Sequence, residues 1–184
     1  MWTQIVGKVR IACTPLINHW WNATLVVTSR GLIAPAMPYR GRAFDVIFDF
    51  DEHRLRVETS DGRAEELALE PMAVAVFYAA FINRLRHLDL DVRIWTMPSE
   101  IENAIPFEQD RTHTQYDKEY VRRFWQALVQ ANCVLNEFRM RFVGKKHVGL
   151  GHDLGRDLAQ APAALLPNGA FEGAAEVVPT GAGH

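Results

Sequence analysis

Between Glu108 and Asp117 the chain gathers Glu108, Asp110, Arg111, His113, Tyr116 and Asp117 within ten residues. A His near a carboxylate can take up and release a proton close to neutral pH, and a neighbouring Arg can hold an anionic group. His113 is therefore the candidate acid or base, Asp110 its carboxylate partner, and Arg111 and Tyr116 candidate ligand contacts. The stretch belongs to a long connection that carries Pro106 and runs into a helix start, and long loops on rigid scaffolds often hold function. The same residues also suit a purely structural role, a loop pinned by an Arg–carboxylate pair with Asp117 as an ordinary helix cap.

A second constellation is Asn18-His19-Trp20-Trp21, with Arg30 a little further on. Aromatic walls beside a His and an Arg can line a small-molecule pocket, so His19, Trp20 and Arg30 join the candidate ligand contacts. Tyr39 and Arg40, in a Pro-rich stretch, could close over such a pocket. Asp45 and Asp49 share a strand face and are read as the charged side of a one-sided sheet, not as paired catalytic carboxylates. His147 and His152 lie five apart, His19 and His113 are distant, and none has a ligand spacing, so no metal is expected. There is no Gly-rich phosphate loop, no nucleophile elbow and no dinucleotide fingerprint, and the sequence names no cofactor.

The formal charge of −2 comes from interspersed Lys/Arg and Asp/Glu, which leaves no basic footprint for nucleic acid or an anionic membrane. No apolar run reaches the length of a membrane span. Cys13 and Cys133 have neither motif spacing nor scaffold density and are read as reduced, mostly buried thiols. With no leader pattern at the N-terminus, the expected location is the cytoplasm.

The elements that must position these residues follow from periodicity. Residues 2 to 12 carry Ile5, Val9 and Ala12 at helical spacing. Asn22 to Arg30 reads as a strand rich in β-branched residues, followed by a loop marked by Pro35, Pro38 and Gly41. Phe44, Val46, Phe48 and Phe50 then alternate, as do Leu55, Val57 and Thr59, with a turn at 51–53 between them. A second turn at 60–63 leads into a strand over 65–69. Val74, Phe77, Tyr78, Phe81, Ile82, Leu85 and Leu88 form one helical stripe able to cover that sheet, and Val92, Ile94 and Thr96 predict a further strand. Val121, Phe124, Trp125, Leu128, Ala131, Leu135, Phe138 and Phe142 keep helical spacing after Asp117, and Val129, Cys133 and Val134 widen that stripe. The expected fold is α+β: an antiparallel meander of about four to five strands covered by two long amphipathic helices.

Composition changes near Lys145. Residues 1–145 hold all five Trp, all four Tyr and nine of the ten Phe, whereas 146–184 hold seven Gly, eight Ala and three Pro. The core is therefore expected within 1–145 as a single domain, and 146–184 as a weakly ordered tail.

At Trp2-Thr3-Gln4-Ile5-Val6-Gly7-Lys8-Val9-Arg10, at Asn18-His19-Trp20-Trp21-Asn22, and at Ile105-Pro106-Phe107-Glu108-Gln109-Asp110-Arg111-Thr112-His113, the chain resembles a bacterial family of proteins of unknown function. The resemblance covers about residues 1–145 and implies no reaction, substrate or cofactor. Family members carry a helical lead-in before the first motif and an aromatic continuation after Phe142-Val143-Gly144-Lys145. This chain departs from both, so the resemblance implies a domain incomplete relative to the family. Two functions of different class remain. One is a small-molecule binding or enzymatic domain with its pocket between the sheet and the 105–117 loop. The alternative is a non-catalytic interaction module that forms a homo-oligomer through an exposed apolar face.

Overall fold

The structure, a computed structural model, describes residues 1–141. In chain order the elements are helix α1 (Trp2–Cys13), strands β1 (Val26–Val27), β2 (Gly31–Tyr39), β3 (Arg42–Asp49), β4 (Arg54–Thr59) and β5 (Ala64–Ala68), and helices α2 (Val74–His87) and α3 (Lys118–Arg141). The strands form one antiparallel sheet in the order β1-β2-β3-β4-β5. The class is α+β. Because side chains alternate along a strand, register decides which residues meet. Leu32, Phe48 and Leu55 fall in one row, and Ala34, Val46 and Val57 in the next. All six are buried. The opposite face carries the ion pairs Arg54–Glu66, Arg56–Glu58 and Arg56–Glu66, which suits a solvated surface.

Helix α2 lays Val74, Phe77, Phe81, Ile82 and Leu85 into this core. Burying an aromatic side chain of that kind contributes about 1.5–3 kcal/mol, so the two Phe residues anchor the helix. Helix α1 buries Ile5, Val6 and Val9 beside it. Helix α3 packs against the core through Val121, Trp125 and Leu128, and Trp125 Nε1 donates to the Thr28 carbonyl at 3.1 Å. The other residues of the expected α3 stripe behave differently: Phe124, Ala131 and Phe138 are exposed. The stripe divides into a face that meets the domain and a second that does not.

Four further expectations are corrected. The strand over 22–30 shrinks to Val26–Val27, because Asn18–Ala23 winds into a 3-10 turn. Asn22, 2% exposed, donates there to Thr14 Oγ1 at 3.2 Å. The supposed loop around Pro35 and Pro38 is β2, the longest strand. It tolerates proline because β1 flanks only Leu32 and Ile33, and because a bulge lies between Ala34 and Met37. A residue without an N–H is admissible at an edge or bulge. Arg40 (φ 45°) and Gly41 (φ 80°) then form the two-residue hairpin turn into β3, both in the conformation such turns demand. Residues 91–96 form no strand; the Thr96 carbonyl instead accepts a hydrogen bond from Phe107 N at 2.9 Å. Cys13 is half-buried and Cys133 exposed, both free, so Cys133 is not a core thiol. Phe142 of the expected stripe and the expected weakly ordered tail over 146–184 lie outside the described residues.

Gly31 supports the sheet by its lack of a side chain: a Cβ there would sit 1.8 Å from the Phe48 carbonyl oxygen. At Gly41 a Cβ would meet nothing within 4 Å. Gly31→Ala should therefore destabilise by at least about 3 kcal/mol, because backbone must move. Gly41→Ala should lose only the left-handed backbone preference, about 1 kcal/mol. Urea denaturation of the two variants measures the difference.

Candidate functional site

Helix α2 starts at Ala73 with no side-chain cap and no acidic residue in its first turn. Its leading N–H groups still need acceptors. The connecting loop provides them: Val74 N donates to the His113 carbonyl at 3.1 Å and Ala75 N to the Asp110 carbonyl at 2.9 Å. The loop is fixed in turn from both sides. Phe107 is fully buried and packs against Tyr78 with ring centroids 6.3 Å apart. At the far end Asp117 caps α3, its Oδ1 accepting from Tyr120 N at 2.9 Å, as its type and position predict.

Asp110 is the centre of this loop. Its side chain is 0% exposed while that of His113 is 57% exposed. Oδ1 accepts from Thr112 N at 3.1 Å, Thr112 Oγ1 at 2.9 Å and His113 N at 3.2 Å. Oδ2 lies 2.7 Å from His113 Nδ1. Burial alone would push the carboxyl group up, but the hydrogen bonds from His113 and Thr112 outweigh it and hold Asp110 below its ordinary range. An ionised carboxylate at Nδ1 keeps the proton on that nitrogen and leaves Nε2 for a ligand. The pin of this loop is thus Asp110 with His113 and Thr112, not an Arg–carboxylate pair.

A cavity of about 540 Å³ opens between the sheet and this loop. Leu32 and Phe48 of the sheet line it with Phe50 just beyond β3, Trp2 of α1, and Val121 and Phe124 of α3. Thr112, His113, Thr114, Gln115 and Tyr116 supply its polar rim. Trp2 stacks on Phe77 at 4.5 Å with 9° between planes and on Tyr116 at 5.1 Å, so one wall is a continuous aromatic pile. Burial pushes the Tyr116 phenol up to about 12, and its hydroxyl lies 2.9 Å from His53 Nδ1. Burial, then the positive charges of Lys118 and Arg122, push His53 down. A neutral imidazole can accept the Tyr116 hydroxyl proton at Nδ1.

Of the residues singled out in the sequence, His113 and Tyr116 line the cavity, and Asp110 stands behind His113. Trp20, 44% exposed in the 3-10 turn, does not line it. Arg30 pairs instead with Asp49 at 2.8 Å and Glu52 at 2.9 Å. Asp49 itself is 2% exposed and accepts from Asp51 N and Glu52 N at 2.9 Å each, which makes it a cap of the β3–β4 turn and not part of an open charged face. Arg111 is exposed and away from the cavity. The His19 side chain lies outside the described residues. Periodicity marked Phe48 and Phe50 as core, and Trp2 as helix, but nothing in the sequence marked Trp2, His53 or Phe124 as neighbours of the loop. Among the described residues no group of three or more His, Cys, Asp or Glu could hold a metal ion, and no helix is long and apolar enough to cross a membrane.

An α+β domain with an aromatic-walled cavity under a histidine-bearing loop is the class that fold and site define. The chain belongs to a family of unknown function, DUF5996, which matches residues 1–149. No curated protein and no solved structure matches it.

Two outcomes test the geometry. Asp110→Asn should destabilise by about 2–4 kcal/mol at pH 7, because it removes the charge that balances these donors. A carboxyl held low in the folded state contributes stability above its unfolded pKa and loses it as pH falls through the folded value. The gap between wild type and Asp110→Asn in urea melts should therefore narrow below about pH 4. In a spectrophotometric titration at alkaline pH, one tyrosine should ionise near 12, up from 10.0, and Tyr116→Phe should remove that step. The raised phenol adds stability below pH 10.0 that is lost as pH climbs towards 12.

Proposed function

We propose that the domain binds a small neutral molecule with a flat apolar body and a polar end, and that His113 exchanges a proton with that end. The observation that carries this reading is the position of His113: its Nδ1 is held by a buried carboxylate while its ring lines an apolar cavity. A volume of about 540 Å³ falls within the range of ligand cavities, and apolar walls with a few convergent polar groups are their usual lining. Trp2, Phe50 and Phe124 suit stacking or edge contact with a ring. Thr112, Gln115 and Tyr116 offer hydrogen bonds at the rim. Among the described residues no Arg, Lys, Asp or Glu side chain lines the cavity, which favours an uncharged ligand over a strongly anionic one.

In this reading Asp110 acts through His113 as a positioning residue. It orients the imidazole and keeps the Nδ1 proton in place, which leaves Nε2 facing the ligand. The two free cysteines fit a protein at work in a reducing cytoplasm.

Protein-observed NMR of the isotope-labelled chain with a panel of neutral aromatic fragments tests the proposal. Fragments with a hydrogen-bonding substituent should perturb the Trp2 indole and the amides of 112–116. His113→Ala should weaken binding about tenfold to a hundredfold, the worth of one or two hydrogen bonds; it should also cost about 1–3 kcal/mol of stability because the buried Asp110 Oδ2 loses its partner, so affinities are compared under conditions where both proteins are folded. Equal affinity in His113→Ala, or no perturbation by any fragment, would sink it.

A further inference from the structure

The face of α3 that does not meet the domain is ordered too regularly to be a chance scatter of apolar residues. Tyr120, Phe124, Ala127, Ala131, Val134 and Phe138 recur at spacings of four, three, four, three and four, and all six are exposed. Tyr120 is 70% exposed, Val134 66% and Phe138 69%. That is the a/d seam of a heptad repeat, which requires a second helix. The domain-facing residues Val121, Trp125 and Leu128 lie one position round the helix, so the seam is separate from the contact that holds α3 in place.

We propose that this seam pairs with the same seam of a second copy of the chain, the two α3 helices running antiparallel. The order of residue sizes is its own complement about Val129. With that residue at the two-fold axis, Tyr120 meets the partner's Phe138, Phe124 meets the partner's Val134, and Ala127 meets the partner's Ala131. Small residues at the centre let the helices approach, and large ones fill the widening ends. The flanking charges choose the same direction. Arg123 and Glu137 occupy equivalent flanking positions fourteen residues apart, and antiparallel pairing sets Arg123, whose Nε pairs with Glu119 of its own helix at 2.8 Å, beside the partner's Glu137 on both sides of the axis. Parallel pairing would place Arg123 beside the partner's Leu128 and forgo both ion pairs. Flanking charges of this kind set orientation and partner choice in paired helices. An interface with one patch on both subunits is the commonest oligomer symmetry. Phe124 belongs both to the seam and to the cavity lining, so the partner's Val134 would stand at the cavity's α3 side. The pairing itself does not rest on the proposed ligand.

Sedimentation equilibrium of the full chain tests it. Helix faces of this length lie at the low end of stable interfaces, so a dimer is expected at about 100 µM and dissociation on dilution. Ala131→Glu should give a monomer at the same concentration with an unchanged far-ultraviolet circular dichroism spectrum. Arg123→Glu should weaken the dimer at least tenfold, and adding Glu137→Arg in the same chain should restore it. Direction is read from a spin label at Lys118, in a chain with Cys13→Ser and Cys133→Ser. Antiparallel helices separate the two labels by about 33 Å along the pair, whereas parallel ones leave them about 10 Å apart. A monomer at about 100 µM overturns the proposal, as do a dimer indifferent to Ala131→Glu and a short label distance. A monomer in which Val134 and Phe138 resist hydroxyl-radical footprinting would assign the seam to the chain's own residues beyond 141, and would overturn it too.

Discussion

One buried carboxylate organises the loop side of this domain. Helix α2 supplies the aromatic side chains that fill the core, yet its own first turn has nothing to satisfy its donors. The carbonyls of Asp110 and His113 do so, and they are in place because the Asp110 side chain folds the loop around itself. A fully buried carboxylate is costly unless nearly every lone pair is occupied. Here Thr112 and His113 occupy them. The same contacts that make burial of the charge tolerable thus close the helix end, set the loop path and orient the imidazole.

Around that point the aromatic side chains form a structural and a chemical surface at once. Phe77 lies in the core, Trp2 stacks on it, and Tyr116 stacks on Trp2. The pile carries the core outward to the cavity, so a ligand would touch a wall whose rigidity comes from the core itself. His53 reaches Tyr116 from the β3–β4 turn and joins the hairpin to the loop. Its lowered pKa has a stability consequence with a definite sign. A histidine held neutral in the fold contributes stability above its unfolded value of 6.5, and that contribution is lost as acid protonates it.

Helix α3 shows how one amphipathic pattern can hide two faces. A single broad stripe on a helix says that apolar side chains recur, not that they share one partner. Packing resolved the stripe: Trp125 hydrogen-bonds to β1's neighbour Thr28, while Val134 and Phe138 face away. The exposed half continues in strict heptad phase, which has no function in covering a sheet.

The sequence by itself determined the sheet's inner face, the β3–β4 hairpin, α2 and the Asp117 cap, because each rests on interactions within a few residues or on a period of two or 3.6. It also marked Asp110, His113 and Tyr116, whose types and crowding in a long loop are visible locally. Tertiary structure alone decided the rest. Pro35 and Pro38 argued against a strand until the short β1 left β2 an open edge. Asn18–Ala23 turned instead of extending because Thr14 and α1 received it, and Val92–Thr96 alternated without a strand to pair with. Arg30 became a partner of Asp49 and Arg111 faced solvent, although their chemistry resembled that of residues at the cavity. Which side chains converge depends on register and on which loop caps which helix. The loop contacts join residues distant in the chain, Ala75 with Asp110, His53 with Tyr116 and Trp2 with Tyr116, and no local pattern encodes them.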